Sequence, residues 1–207
     1  MQAIHIFSSK GGSGKTTAAL SLAAALAHRG NRVALVDADP NGAQGGATRW
    51  LAQAQAAGRP TPFPVLKAIT SSAAKAYDYV VYDHPPGGRA AHQLPEGLVI
   101  VPTPLDPGSF FSATRVVDSL RHRPLAPLLL PSRVRLERAE QRRLAGVLAV
   151  PVVRDRAAYG SLFGQGANLY SDGTGIIGLM AARDEFEETV ARVLAHMSAC
   201  QTKKEAA

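Results

Sequence analysis

Two lysines lie five residues apart in a glycine-rich stretch, residues 8–17, with the sequence SSKGGSGKTT. The stretch follows a short apolar segment and precedes an alanine- and leucine-rich helical pattern. Glycines let successive backbone N–H groups converge on an anion, and the positive end of a helix adds to the attraction. The run therefore predicts a loop that binds the phosphates of a nucleotide. The residues expected to hold it are Gly11, Gly12, Ser13, Gly14, Lys15, Thr16 and Thr17.

Two side chains of this loop have a defined chemistry. Lys15 follows the last glycine, and its ammonium is expected to reach the β- and γ-phosphates. The hydroxyl of Thr16 is expected to bind Mg²⁺. A glycine–serine turn with two unrelated lysines is the alternative, and the run Gly-Lys-Thr between a strand and a helix argues against it.

Aspartates follow two further strand-like segments, at the point where each segment ends. Asp37 and Asp39 lie in the run VDADPN, and Asp83 ends the run YVVYD. The carboxyl ends of parallel strands meet at one edge of a sheet, where ligands bind. An apolar strand of this kind aims Asp83 at the water shell of a metal ion. An Asp-Pro-Asn turn is the alternative interpretation of Asp39.

The histidines predict no separate metal site. His84 follows the last of these aspartates in the run DHPPGG. It is interpreted as a loop residue, because no second histidine lies near it in the sequence. The other histidines, which lack metal-ligand spacing, are His5, His28, His92, His122 and His196.

These motifs need a scaffold in which strands alternate with helices. The strand-like segments are residues 4–7, 32–36, 79–82, 98–101, 125–130 and 147–153. The helical patterns cover residues 16–28, 43–56, 109–120, 137–144, 157–165 and 184–198. The alternation predicts an α/β, single-domain P-loop fold with a mainly parallel twisted sheet and helices on both faces. The domain is expected to span residues 1–200, and the polar tail, residues 201–207, is expected to fray.

Composition indicates one domain in a reducing compartment. A chain of 207 residues, 46% of them hydrophobic, suits a single core. It has no apolar run of the ~18 residues that a membrane span needs, and no secretory signal is visible. Cys200 is the only cysteine, which excludes an internal disulfide and a cysteine cage for zinc or an iron–sulfur cluster. We therefore expect a cytoplasmic protein.

Positive charge is concentrated in one part of the chain. The net charge of +7 and the isoelectric point near 9.9 favour anionic partners, nucleic acid first. Residues 115–156 hold ten arginines against four acidic residues, and so carry +6 of that charge. A solvated basic surface is the alternative interpretation.

The phosphate-binding loop departs from the usual G-x-x-x-x-G-K-T pattern, because Ser9 stands where the first glycine would be. Its K-G-G-x-G-K-T form resembles the deviant Walker A motif of the ParA/MinD family of P-loop ATPases, and DADPN and DHPPGG resemble further motifs of that family. The resemblance implies that Lys10 reaches nucleotide bound by the other subunit of a dimer. It also implies that Asp39 orients or activates the attacking water and that Asp37 supports the metal shell. With ATP and Mg²⁺ as cofactors, the implied catalytic residues are Lys10, Lys15 and Asp39, and the implied metal-site residues are Thr16, Asp37 and Asp83.

The resemblance covers nearly the whole chain and is nearest to the short, ParF-like ParA partition ATPases. The runs TRW at residues 48–50, VPTPLD at 101–106 and RDRAAY at 154–159 resemble further family segments. One segment departs, since many relatives have Asn-Arg close to the adenine where this chain has PSR at residues 131–133. The sequence therefore leaves nucleobase selectivity open.

The resemblance implies an ATPase that partitions DNA or positions a cargo. ATP would join two subunits, and the dimer would bind nucleoid DNA without sequence specificity, because phosphate contacts add up across both subunits. A ParB-like or other cargo-bound adaptor would stimulate hydrolysis. Intramolecular ion pairs or a solubilising role are the alternative for each candidate arginine. The candidates for DNA binding are Arg133, Arg135, Arg138, Arg142, Arg143, Arg154 and Arg156.

Two other functions are alternatives. A membrane-surface positioning ATPase of the MinD type needs a basic amphipathic helix at its C-terminus. Residues 190–207 lack bulky aromatic side chains and a long basic face, so no membrane partner is expected. A redox ATPase resembling an iron protein is disfavoured by the single cysteine.

Overall fold

The computed structural model describes residues 1–87, 94–123 and 125–205, and in these residues six parallel strands form one sheet. The strands lie in the order β3-β2-β4-β1-β5-β6. They are β1 (Gln2–Ile6), β2 (Val33–Asp37), β3 (Val65–Leu66), β4 (Tyr79–Asp83), β5 (Gly97–Thr103) and β6 (Leu125–Pro131). The helices are α1 (Lys15–His28), α2 (Gly42–Gly45), α3 (Ala47–Ala56), α4 (Ser71–Ala74), α5 (Pro107–Arg121), α6 (Ala139–Leu148), α7 (Ala157–Gly164) and α8 (Leu179–Glu205).

Apolar side chains cover both faces of the sheet, because successive residues of a strand point to opposite faces. In β5, Leu98 and Ile100 join the cluster formed with α1, α3, α7 and α8. Val99 and Val101 join a second cluster with α5. Helices therefore lie on both faces of the sheet, as the sequence predicts. The carboxyl ends of the strands are left uncovered by these helices, and ligands bind there in sheets of this kind.

Helix α1 gives the glycine loop a rigid support. It directly follows the loop, and most of its residues are buried, including Ala19, Ala23 and Ala24. Alanine has the highest helix propensity and a small side chain, so this helix forms readily and lies close to the sheet. Its first turn is thereby fixed relative to β1 and β4.

Two parts of the fold differ from the sequence prediction. The short elements β3 and α4 were not predicted. The strand predicted at residues 147–153 is wrong: α6 continues to Leu148, and Ala149 ends it with a left-handed φ of 48°. Among the residues that the structure describes, the only bridge after this point joins Arg154 to Val134. Pro151 explains part of this difference, because proline donates no hydrogen bond to a sheet.

Helix boundaries also differ. The helix predicted at residues 43–56 is divided into α2 and α3 at Gly46, whose extended backbone precedes α3. Helix α8 begins earlier than predicted and continues to Glu205, so residues 201–205 are helical rather than frayed. In the described ranges, no helix has the length and apolar character to cross a membrane.

Candidate nucleotide-binding site

The glycine-rich loop between β1 and α1 has the backbone conformation that its sequence predicts. Gly12 (φ 71°) and Gly14 (φ 88°) are left-handed, a conformation that only glycine adopts at little cost. Lys15 is 8% exposed, and its ammonium donates to the carbonyl of Lys10 at 3.4 Å. The loop therefore folds around a buried positive charge at the N-terminus of a helix, an arrangement suited to phosphate.

Two aspartates at the ends of neighbouring strands lie beside this loop. Asp37 of β2 and Asp83 of β4 are in register, and both are buried. The hydroxyl of Thr16 donates to Asp83 Oδ2 at 2.7 Å. The structure therefore brings together the three residues predicted to serve a metal ion.

Two residues that the sequence reasoning missed hold Asp37. Its Oδ2 accepts from the backbone N–H of Thr48 at 2.8 Å and from the Thr48 hydroxyl. Lys67 lies 3.5 Å from the same oxygen and directly follows β3. The run TRW was noted only as a family resemblance, and β3 was not predicted, so neither contact was found.

Unpartnered oxygens indicate where a cation fits. Asp37 Oδ1 and Asp83 Oδ1 are buried and have no hydrogen-bond partner among the described residues. A buried acceptor without a partner is costly, and carboxylate oxygens are ligands that Mg²⁺ prefers. The described residues contain no cluster of three His, Cys, Asp or Glu side chains for a metal ion. The Thr16 hydroxyl, water and nucleotide phosphates would therefore supply most ligands of Mg²⁺, the usual situation for this ion.

The buried charges of the site shift each other's protonation. Burial and, to a smaller extent, the charge of Asp37 raise the pKa of Asp83 to about 7, while Thr16 and Lys15 oppose the shift. Burial lowers the pKa of the Lys15 ammonium, and Asp83 and Asp39 oppose that change. A phosphate and a divalent cation would compensate both buried charges.

The raised pKa of Asp83 predicts an unusual pH dependence of stability. The native carboxyl holds its proton up to about pH 7, whereas an unfolded aspartate loses it near 3.8. The native state therefore binds more protons between these values, and the free energy of unfolding falls as pH rises through this window, by up to about 4 kcal/mol. Asp83→Asn should flatten this slope in denaturant titrations in EDTA. The exposed carboxylate variant Asp118→Asn should keep it, and an unchanged slope in Asp83→Asn would contradict the assignment.

Asp39 lies in a turn and also near the buried charges. Its Oδ1 accepts from the backbone N–H of Asn41 at 2.9 Å, which is the turn considered as the alternative. Its charge nevertheless acts on both Lys15 and Asp83. The turn therefore places Asp39 beside the site, and its action on water stays a prediction.

Lys10 differs from Lys15 in its surroundings. Lys10 is exposed, and its Nζ lies near Gly108 at the start of α5. A β-carbon built on Gly108 would be 3.7 Å from this nitrogen. The backbone N–H of Ser109 lowers the pKa of Asp106, and the charge of Lys10 contributes to that shift. The ammonium of Lys10 is therefore accessible to a second subunit. Its role across a dimer interface stays a prediction.

The segment after β6 contacts the glycine loop. The Ser132 hydroxyl donates to the carbonyl of Ser13 at 2.6 Å, and Arg133 Nη1 donates to the carbonyl of Gly12 at 3.0 Å. Ser132 is buried, and Arg133 has a left-handed φ of 52°. The PSR run therefore takes part in shaping the phosphate loop, a role that the sequence did not indicate.

His84 lies in the loop after β4, as interpreted from the sequence, and a histidine that is distant in the sequence lies near it. His5 Nδ1 is 3.0 Å from His84 Nε2, although the two residues are 79 positions apart. Burial lowers the pKa of His5 to about 3 and that of His84 to about 4, so both rings are neutral. His92 and Gly88 lie outside the described residues.

Ion pairs hold three of the seven arginines predicted to bind DNA. Asp155 pairs with Arg135 at 2.7 Å and with Arg133 at 3.6 Å, and Glu185 pairs with Arg156 at 3.0 Å. The alternative considered from the sequence, an intramolecular ion pair, therefore applies to these three side chains.

The remaining candidates are less constrained. Arg138 and Arg143 are exposed, and neither side chain has a hydrogen-bond or ion-pair partner in the described part of the chain. Arg142 is also exposed and donates to the carbonyl of Leu136. Arg154 is half-buried. The most available charges therefore lie at the start of α6.

A parallel sheet with this glycine loop, and with buried aspartates at the ends of β2 and β4, defines an α/β nucleotide-binding protein with a P-loop-type fold. The family model described as the CobQ/CobB/MinD/ParA nucleotide binding domain matches residues 4–199, and the chain belongs to this family. The resemblance inferred from the sequence is thereby confirmed.

Proteins similar to the chain include a maintenance of carboxysome distribution protein A (McdA) from Gloeobacter kilaueensis. It is 34% identical over 163 residues, which cover 74% of this chain and 71% of that protein. A protein from Thermus thermophilus described as "Probable plasmid-partitioning protein ParA" is 30% identical over 192 residues. That match covers 90% of this chain and 51% of the relative. The ATP complex of a Cyanothece McdA has a TM-score of 0.65 at 16% identity, covering 94% and 96% of the two chains, and this likeness shows the fold.

Proposed function

We propose that the chain is a Mg²⁺-dependent ATPase that dimerises around ATP and partitions DNA or positions a cargo. Membership of the ParA/MinD nucleotide-binding family supports the ATPase activity. The names of two relatives, a carboxysome distribution protein and a plasmid-partitioning protein, support the partition or positioning role. The protein would act in the cytoplasm on the nucleoid.

The observation that carries this proposal is the different exposure of the two loop lysines. Lys15 is buried within its own loop and would reach the phosphates of its own nucleotide. Lys10 is exposed beside the start of α5, so its ammonium is free to meet phosphates held by a second copy of the chain. An ATP-joined dimer explains why the loop carries both charges.

Hydrolysis would use the acidic residues of the site. Thr16, Asp37 and Asp83 would hold Mg²⁺, which supplies charge stabilisation for the departing phosphate. Asp39, whose charge acts on Lys15 and Asp83, would orient the attacking water. A cargo-bound adaptor protein would accelerate this step.

The proposal is tested by DNA binding with ATP, with ADP and without nucleotide, at roughly 50 mM and 200 mM salt. We expect binding only with ATP, with weaker binding at high salt and no sequence preference. Anionic liposomes in the same assay test the membrane-surface alternative. Liposome binding without DNA binding would favour that alternative. DNA binding that is equal with ATP, with ADP and without nucleotide would contradict the proposed regulation of DNA binding by ATP.

The unpaired arginines of α6 give a prediction for the DNA surface. Arg143→Ala should weaken ATP-dependent DNA binding and reduce the slope of log affinity against log salt by about 0.9 per protomer, because one phosphate contact is lost. The matched control is Arg32→Ala, which removes an equal charge from an ion pair with Asp78 and should leave the slope unchanged. ATP affinity should be the same in both variants. If Arg143→Ala and Arg32→Ala have the same slope of log affinity against log salt, the DNA-binding surface does not include Arg143.

A further inference from the structure

Lys67 contacts a carboxylate of the candidate metal site from the edge strand β3. The last residue of this strand, Leu66, pairs in parallel with Val36 of β2. Continuing the register by one residue brings Lys67 beside Asp37, and its Nζ lies 3.5 Å from Oδ2. No other lysine or arginine among the described residues forms an ion pair with an aspartate of this site.

The two members of this ion pair differ in exposure. The side chain of Asp37 is fully buried, whereas that of Lys67 is 55% exposed. A buried carboxylate without a counter-charge is costly, so the ammonium stabilises the site while no cation is bound. The same ammonium can leave the pair for water, because more than half of its side chain is already exposed.

Lys67 is not needed to orient the carboxylate. Oδ2 of Asp37 accepts from the backbone N–H of Thr48 at 2.8 Å and from the Thr48 hydroxyl. Gly46 gives α3 no side-chain cap, so Asp37 takes the place of a capping residue for this helix. Oδ1 is left without a partner. The contribution of Lys67 to this carboxylate is therefore its charge.

That charge opposes a divalent cation at the same carboxylate. An ammonium at Oδ2 and a cation at Oδ1 share one negative charge, and they repel each other across a short distance in a partly buried site. Binding of the cation therefore weakens the pair between Asp37 and Lys67, and the pair weakens binding of the cation.

We propose that Lys67 is a counter-ion that stands in for the divalent cation at Asp37 and lowers the affinity of the site for Mg²⁺. This inference rests on the proposed nucleotide site. Nucleotide bound without Mg²⁺ leaves the ion pair intact, whereas nucleotide bound with Mg²⁺ weakens it. Lys67 acts through Asp37 and is not a catalytic residue.

The test compares the affinity for a non-hydrolysable ATP analogue with saturating Mg²⁺ and in EDTA, by calorimetry on the full chain. Lys67→Met should raise the ratio of the two affinities about fivefold, because the repulsion is lost but was already reduced by solvent. Lys67→Arg keeps the charge and should keep the wild-type ratio. Lys75→Met is the matched control, since it removes an exposed charge that has no ion-pair partner in the described ranges, and its ratio should be unchanged.

A second pair of variants shows whether Lys67 acts through Asp37. In the Asp37→Asn background, Lys67→Met should leave the ratio unchanged, because no carboxylate remains to be shared. A direct effect of Lys67 on the nucleotide phosphates would persist in that background and would overturn the proposal. Thermal unfolding in EDTA without nucleotide gives a separate measurement, in which Lys67→Met should be less stable than Lys75→Met.

The outcomes separate this inference from the proposed function. An unchanged or lowered ratio in Lys67→Met would overturn the role of Lys67 and leave the nucleotide site intact. Failure of the wild-type protein to bind the analogue would overturn the nucleotide site and this inference with it. If Asp37→Asn is poorly folded, the ratios of Lys67→Met, Lys67→Arg and Lys75→Met decide the proposal alone.

Discussion

Lys15→Ala should lower the affinity for ATP by at least about 100-fold, because several charge-assisted hydrogen bonds to phosphate are lost together. Lys15 is 8% exposed and lies at the head of α1. Burial already lowers its pKa, so the charge is not a source of stability in the free protein. Titration with a fluorescent ATP analogue measures the loss, and thermal unfolding without ligand should be little changed.

The matched control for this variant is Lys10→Ala. Lys10 is exposed and belongs to the same loop, so its removal should leave ATP binding by the monomer nearly unchanged. It should instead prevent the ATP-dependent dimer, which light scattering after size-exclusion chromatography detects. Unaltered ATP affinity in Lys15→Ala would refute the assignment of the phosphate loop.

Asp39→Ala should bind ATP normally but hydrolyse it about 100- to 10,000-fold more slowly, the range expected for loss of a general base. ATP would then persist between the subunits, so the variant should accumulate as a dimer. Single-turnover measurements with bound ATP separate the chemical step from binding. Turnover equal to that of the wild-type protein would show that another group positions the water.

Asp39→Asn separates catalysis from the turn. An asparagine oxygen can still accept the hydrogen bond from the backbone N–H of Asn41, so the turn is kept. If the carboxylate acts on water, Asp39→Asn should be as slow as Asp39→Ala. If only the turn matters, Asp39→Asn should recover the wild-type rate.

Sequence patterns predicted the parts of the site that are close together in the chain. The glycine loop between β1 and α1 and the aspartates that end β2 and β4 were found because each motif lies next to an apolar strand. The contacts between distant segments could not be found in this way. His5 contacts His84 because β1 and β4 are neighbours in the sheet. Ser132 contacts Ser13 because β5 lies beside β1 and β6 lies beside β5.

Charge counting had a similar limit. A sequence shows that residues 115–156 are rich in arginine, but it does not show which guanidinium groups already have an acid. Glu185 reaches Arg156 from α8, 29 positions away, and Asp155 lies between two arginines from the segment after β6. The strand predicted at residues 147–153 failed for another reason, since apolar content alone does not distinguish a helix end from a short strand.

The two bonds from the segment after β6 to the glycine loop also determine how the loop's amides are aimed. A peptide unit is planar and trans, so a carbonyl and the following N–H point in opposite directions. Arg133 and Ser132 draw the carbonyls of Gly12 and Ser13 toward β6. The N–H groups of Ser13 and Gly14 are thereby turned away from β6, and contacts within the protein fix this orientation. The entropy cost of ordering the loop is then met during folding, so the phosphate-binding loop is preorganised for an anion.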